Sequence, residues 1–443
     1  MASRRRRSSG ERNSPSAPSS CRAIRSPFCT QCAAPRTAPE THARTAPPSS
    51  TAAKPGGMLA SMDAARYHRL QLILRIVGFA LTIGYLVALA ASGAGVALAG
   101  AARLVAEARW WQVAVVAGAV GLGHTVLTLP LGWVRGYALP RRAGLLHQSL
   151  RGWLADKLTA AAIGGALALA VVELIYALIG STAAWWMVAT LALVALEIVL
   201  ALVFPVWLLP LFYRLTPLQD AALGARLVEL ARRGGVRAVG VWVADQSRKS
   251  RTANAALAGV GATRRIILFD TLVHRFEARE IESVLAHELA HHVHRDVWRG
   301  LAVHAAATAA GLWAAARVLD AAAGALGLAG PADPAGLPWL ALVLLAVGAV
   351  TTPLANAASR AMERQADDYA VALTGDADAF VGAMERLAAL NLAERRPHPV
   401  EEFLLHGHPS IDRRIARARR WLARPASLRS GTDGRSPSHE SST

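Results

Sequence analysis

Five stretches of this chain run for more than twenty residues with at most one charged side chain, and they limit its fold more than any other feature. Residues 76–102 and 335–358 carry no charge, and 110–134 carries only His124. Residues 158–180 and 184–210 hold one carboxylate each, Glu173 and Glu197. At about 1.5 Å of helical rise per residue, each can cross about 30 Å of hydrocarbon. A weaker stretch, 301–326, is interrupted by Arg317 and Asp320. The expectation is a mainly α, polytopic helical membrane protein with about six spans. A mean hydropathy of +0.31 with 18% charged residues agrees, and a disordered or fibrous chain is excluded. Glu173 and Glu197 are expected to be packed, paired or protonated, or to line an internal chamber.

The net charge is +18, but it is unevenly placed. Residues 1–57 hold ten basic residues against Glu11 and Glu40. This Ser-, Pro- and Arg-rich tail has no apolar period and is expected to be disordered. No apolar h-region follows Arg4–Arg7, so it is not a secretory signal. Met58 or Met62 is the expected true start. All three cysteines lie in the tail; Cys29 and Cys32 form a lone CxxC without the second ligand pair that zinc needs. The loop 135–157 carries Arg135, Arg141, Arg142, Arg151 and Lys157, and residues 211–299 and the C-terminal tail are also Arg-rich. The segments near Gly180 and Gly330 have no Lys or Arg. By the positive-inside rule, both termini and the two basic loops face the cytoplasm. The charge therefore reads as membrane topology and contact with anionic lipids, with no nucleic-acid partner.

The expected division is a tail (1–57), a four-span membrane domain (58–210), a water-soluble domain (211–299), two further spans (300–358), the rest of the soluble domain (359–423) and a disordered end (424–443). In the soluble part, residues 218–233 read as a helix ended by Gly234-Gly235. AVGVWVA (238–244) and RIILF (265–269) read as strands. Residues 277–296 read as a long helix with a buried stripe of Ile281, Leu285, Leu289 and Val293. Together these make an α+β domain at the cytoplasmic face.

That helix carries His287-Glu288-Leu289-Ala290-His291, an HExxH. Two residues four apart on a helix differ by ~40° in rotation and ~6 Å in rise, so both imidazoles can grasp one zinc ion. Glu288 then stands where it can take a proton from water. A third protein ligand must come from elsewhere. Glu363, with Asp367 four residues on, is a candidate ligand, and Asp367 could support a ligand histidine. Both could equally belong to a solvated helix face with Arg360 and Arg364.

Five stretches together resemble the integral-membrane CAAX prenyl endopeptidases, zinc metalloproteases with several spans. They are SRKSRTANAALAG (247–259), RRIILFDTLV (264–273), EIESVLAHELAH (280–291), SRAMERQAD (359–367), and His408-Pro409 with Arg414. Order and spacing agree over residues 65–425. The resemblance implies that His287, His291 and Glu363 hold zinc and that Glu288 is the general base. It implies that Asp367 supports a ligand, His408 stabilises the oxyanion and Arg414 braces the site. It also places Asn254 on a strand edge, Thr252–Ala258, where substrate is laid. His406 rivals His408 but does not precede Pro. His274, His292, His294 and His304 read as structural or solvent-facing. Eukaryotic members have seven spans where this chain has about six, and Ala290-His291-His292 stands where the family often has Gly-His-Trp.

The function expected is a membrane-embedded zinc metalloendopeptidase of the cell membrane, its active site on the cytoplasmic side. It would cut peptides or proteins, lipid-modified or not, near their C-termini. Alternatives are a heat-shock-type quality-control protease, a non-catalytic zinc-containing scaffold and a transporter. Four spans before the HExxH helix argue against the first, and the intact Glu288 against the second. The third rests only on span number and the two membrane carboxylates.

Overall fold

The computed structural model describes residues 62–259 and 264–423. The basic tail with its CxxC, Met58 and the end after 424 lie outside the described residues. Helix α1 (Ala64–Ala91) starts at Asp63, whose carboxylate accepts the Arg66 N–H at 2.6 Å. It stops at Ser92, because Gly93 turns the chain with φ 75° into α2 (Ala94–Val105). The uncharged run 76–102 is therefore not one span. The crossing helix begins earlier, and α2, at about 18 Å, is too short to cross.

Helix α3 (Arg109–Trp133) passes through a π-helical turn, Val134–Ala138, into α4 (Leu139–Arg142). After α5 (Leu150–Ile179) comes α6 (Trp185–Val203), which repeats the device through Phe204–Leu208 into α7 (Leu209–Phe212). Pro140 and Pro210 sit just past the two wide turns. Proline has no N–H to donate and its ring crowds the carbonyl four residues back, and a π turn absorbs both. Among the described residues, six helical segments are long and apolar enough to cross a membrane: residues 64–91, 109–142, 150–179, 185–212, 296–322 and 334–374. Their outward faces leave Ile76, Leu122, Leu191 and Trp207 uncovered by protein, as lipid-facing helices do. In α5, Glu173 Oε1 is buried with no hydrogen-bond partner among the described residues.

The soluble part is built on a four-stranded sheet of order β1 (Leu215–Pro217), β2 (Val241–Ala244), β4 (Arg265–Phe269), β3 (Ala255–Ala258). β2 and β4 run parallel; the other pairs are antiparallel. β3 pairs Ala255 with Leu268 and Ala258 with Arg265, and it forms one edge of the sheet. The expected strand 238–244 shortens to its last four residues. β1, three residues ending in Pro217, gave no alternating pattern in the sequence.

Around the sheet lie α8 (Ala221–Arg233), α9 (Asp270–Arg275) and α10 (Ala278–Val293). Next come α11 (Asp296–Ala322) and α12 (Leu337–Thr374), then α13 (Ala377–Asn391), α14 (Pro399–Leu405) and α15 (Ile411–Leu422). Asp220 caps α8 by accepting the Leu223 N–H, and Gly235 at φ 73° follows its end. Glu277 and Glu280 form a capping box that starts α10. Arg295, at φ 57°, ends the helical pair and turns the chain into α11. Ile281, Leu285 and Leu289 are buried against Leu227, Ile266, Leu268, Leu272 and Phe380. Each such side chain contributes about 1.5–3 kcal/mol. Val293 departs from the expected stripe: it is 41% exposed, in the last turn beyond the reach of this core. α12 is one continuous helix of 38 residues. Its first half is an apolar span and its last turns pack on α10.

Candidate metal centre

α10 and α12 lie side by side, and the site forms where their polar turns meet. His287 Nε2 and His291 Nε2 are 3.3 Å apart. Glu363, from α12, places Oε2 3.3 Å from His287 Nε2 and Oε1 3.5 Å from His291 Nε2. The edge of a tetrahedron of ligands about 2.1 Å from a zinc ion is about 3.4 Å; the two imidazole nitrogens match that edge, and each has one Glu363 oxygen at a similar distance.

The outer partners point the same way. His287 Nδ1 lies 3.1 Å from Asp367 Oδ1, and His291 Nδ1 lies 2.9 Å from Asp296 Oδ2. An imidazole that donates its Nδ1–H to a carboxylate presents a lone pair at Nε2. In that tautomer the two Nε2 atoms cannot hydrogen-bond each other; they are paired acceptors that call for a cation between them. Glu363 Oε2 is also buried without a hydrogen-bond partner among the described residues. These three side chains form the group of candidate metal ligands found among the described residues.

Asp367 is buried and shared. Arg414, from α15, donates Nη2 to Oδ1 at 2.6 Å and Nε to Oδ2 at 3.0 Å. The metal-free charge state follows from these contacts. Burial disfavours the charged imidazole of His287, but the carboxylates of Asp367 and Glu363 beside it outweigh burial and push it up to about 9. Burial also raises the Glu288 carboxyl, against the pull of His287 and His291. Glu288 is partly buried on α10, beside the first histidine. For Arg414, burial opposes the charge, yet Asp367 outweighs it and holds the guanidinium above its usual range.

His408 Nδ1 lies 3.0 Å from Glu363 Oε1, and its side chain is 70% exposed. His406 is elsewhere: its ring faces Glu401 at 3.5 Å, and its carbonyl accepts from Arg360 at 2.6 Å. Asn254 is exposed at the start of β3, with its carbonyl bound to the Phe269 N–H and its side-chain oxygen to the Ala255 N–H. It forms no hydrogen bond with the three candidate ligand side chains; the edge strand that follows it packs beside α10. His294 stacks edge-on against Tyr369. The sequence reading missed Asp296. Its signal was a carboxylate five residues after the second histidine, but only the left-handed turn at Arg295 brings it back to that ring.

Two family models cover most of the chain. Residues 60–214 match the model described as CAAX prenyl protease N-terminal, five membrane helices. α1, α2, α3, α5 and α6 are five helices within that range, although α2 is short. Residues 217–422 match the model described as Peptidase family M48. YhfN, a metalloprotease of Bacillus subtilis, is 31% identical over 66% of this chain and 70% of its own length. CAAX prenyl protease 1 of Saccharomyces cerevisiae is 32% identical over 38% of this chain and 37% of its own length. The crystal structure of S. mikatae Ste24p superposes with a TM-score of 0.63 at 25% identity, covering 69% of this chain and 75% of that one. Membership implies a metal, and the six apolar helices place the chain in a membrane. The chain belongs to peptidase family M48, as an integral-membrane, CAAX-prenyl-protease-like metalloprotease.

Proposed function

We propose that the metal is zinc, held by His287, His291 and Glu363, and that the enzyme cleaves peptide bonds near the C-termini of membrane-associated proteins at the cytoplasmic face of the cell membrane. The observation that carries this reading is the convergence of three side chains, with one donor atom from each lying within 4.8 Å of the others, and a carboxylate next in sequence to the first histidine. Zinc, when bound, supplies a Lewis acid for the scissile carbonyl and acidity to a water at neutral pH. Glu288 removes the proton from that water and returns it to the leaving amine. Its burial suits both halves of the task, because a raised carboxyl pKa lies closer to neutrality. His408, exposed at the rim, donates to the oxygen that gains charge. Asp367 and Asp296 fix the tautomers of the two ligand rings, and Arg414 holds Asp367 in place. Asn254 orders the entrance of β3, whose free edge can take an extended peptide through backbone hydrogen bonds.

The substrate class rests on two cavities. One of about 510 Å³ includes His408, and a largely apolar one of about 870 Å³ lies among α1, α3, α12 and α14. Arg75 and Leu405 line both. A peptide at His408 thus has an apolar volume beside it, sized for a hydrocarbon chain on the same substrate, as a prenylated C-terminus would carry. The relatives named CAAX prenyl proteases favour this reading over general quality control.

The purified full chain should contain one zinc per molecule and cleave a quenched farnesylated peptide. Chelation or Glu288→Ala should abolish the cleavage. Equal cleavage of the unprenylated peptide would move the assignment to quality control, and cleavage unaffected by Glu288→Ala would refute the mechanism.

A further inference from the structure

Behind the metal centre lies a separate cavity of about 260 Å³, and six arginines line it: Arg360, Arg364, Arg413, Arg414, Arg417 and Arg420. Two carboxylates, Asp367 and Glu402, share its wall, and both are already engaged. Asp367 is held by Arg414 and His287. Glu402 accepts the Ser410 N–H and one nitrogen of Arg413, each at 3.3 Å. Arg417 is closed on Asp368, with bonds of 2.6 and 2.5 Å. Arg360 is 9% exposed and gives Nη1 to the carbonyls of Glu402 and His406. Among the described residues, Arg360, Arg364 and Arg420 form no ion pair with any carboxylate.

The charge is concentrated by the fold. α12 presents Arg360 and Arg364 one turn apart. α15 faces them with Arg413, Arg417 and Arg420, which recur at helical spacing. Ala416, among them, is small enough to leave the cleft open. Like charges one turn apart destabilise a helix, and a cleft walled by protein strengthens their field. An anion with several oxygens would relieve that repulsion, and the planar guanidinium fork matches phosphate oxygens in pairs.

We propose that this cavity is a binding site for a multivalent phosphate anion. Two sources carry that chemistry: a phosphomonoester headgroup of a membrane lipid, and a soluble polyphosphate. Arg360 lies two residues past Ala358, the last residue of the uncharged run, a rise of about 3 Å, so the cavity is within reach of headgroups. Arg414 belongs both to this wall and to the clamp on Asp367, so an occupant contacts the group that steadies the support of His287.

The test uses the full chain purified in detergent, titrated with inorganic pyrophosphate and followed by calorimetry and thermal unfolding. In parallel, the protein is placed in phosphatidylcholine vesicles containing phosphatidic acid or phosphatidylglycerol at matched surface charge. Saturable pyrophosphate binding supports the site with a soluble occupant. A preference for phosphatidic acid over phosphatidylglycerol without pyrophosphate binding supports it with a lipid occupant. Either response should weaken about tenfold or more in Arg364→Gln/Arg420→Gln, since each change removes a charged donor to the phosphate oxygens. It should persist in Arg232→Gln/Arg237→Gln, which removes the same charge outside the cavity. Metal content equal to wild type verifies folding of the variants, and the single substitutions serve if the pair does not fold. Wild-type protein with neither response, or a response undiminished by the Arg364 and Arg420 changes, overturns the proposal.

Discussion

Replacing Asp367 with alanine separates the two tasks its carboxylate performs. It neutralises buried Arg414 through bonds of 2.6 and 3.0 Å, and it accepts the Nδ1–H of His287 at 3.1 Å. Removing one partner of a buried pair strands the other charge and costs about 3–5 kcal/mol. Removing the outer acceptor of a metal-binding histidine costs about 10–100-fold in metal affinity. Asp367→Ala should therefore unfold at a lower temperature after chelation and also bind zinc 10–100-fold more weakly. The double variant Asp367→Ala/Arg414→Met distinguishes the two effects. With both charges gone and the volume partly refilled by an apolar side chain, most of the lost stability should return, because an absent buried pair is close to neutral. Zinc affinity should not return, because His287 still lacks its acceptor. The assays are thermal unfolding of chelated protein and zinc competition against a chromophoric chelator. If the double variant recovers affinity along with stability, Asp367 does not orient His287. If it recovers neither, the Arg414–Asp367 pair is not the energetic unit described.

Glu288→Gln should keep stoichiometric zinc while peptide turnover falls by about 10²–10⁴-fold, the usual contribution of a positioned base; coincident loss of metal would show that the residue is structural. In the metal-free protein His287 is raised from 6.5 to about 9. Its contribution to stability is then fully present below pH 6.5 and is lost as the pH rises through 9, so chelated protein should be less stable at pH 9 than at pH 6.5. Zinc must displace that proton, so apparent zinc affinity should fall about tenfold per pH unit below 9; a pH-independent affinity would contradict the assigned contacts. Lys249 is buried, pairs with Asp156 at 2.5 Å, and lends its carbonyl to the N–H groups of His147 and Gln148. Lys249→Met should speed limited proteolysis of residues 143–149 by on the order of tenfold, a change of about 1.4 kcal/mol, and unchanged cleavage would mean that this loop is held by other contacts.

The parts of the fold that were legible in the sequence are those set by local physics. β4 occupies residues 265–269 because that run is apolar and β-branched, and α10 begins where Glu277 and Glu280 can form a capping box. Charge-free length gave six spans, but it misplaced the first. Arg69 and Arg75 lie inside α1, so counting charges started the span too late. The two-residue Ser92-Gly93 break is too small to interrupt a hydropathy window. Glu363 was a candidate ligand on its residues alone, but only the family resemblance set it above a solvated helix face. Its four-residue spacing to Asp367 says which helix face they share, and nothing local says which element that face meets. Asp296 was missed for the same reason, since its approach to His291 depends on one left-handed residue, Arg295. Neither the neighbouring cavities that share Arg75 and Leu405 nor the arginine-lined one has a sequence signature, because their walls come from elements far apart in the chain.

The candidate metal centre is assembled from two helices with different anchors. α10 is held by the sheet and by the core around Leu268 and Phe380, whereas Glu363 and Asp367 ride on a helix whose first half is the last membrane span. From Ala358 to Glu363 the rise is about 7.5 Å. Under the proposed topology, that keeps Glu363, the third candidate ligand, within one or two helical turns of the lipid boundary. Under that topology a substrate reaching His408 would approach along the membrane surface or from the bilayer side, where the apolar cavity shares Arg75 and Leu405 with the one at His408. A freely diffusing polypeptide would have to bring its scissile bond to that depth without an anchor, whereas a lipid-modified C-terminus is already held there. Tethering raises the effective concentration of the cleavage site at the metal without any additional contact to the peptide. Adding a farnesyl group to a test peptide should thus lower KM far more than it changes kcat in vesicles, and a farnesyl effect confined to kcat would place the hydrocarbon's role in the chemistry instead.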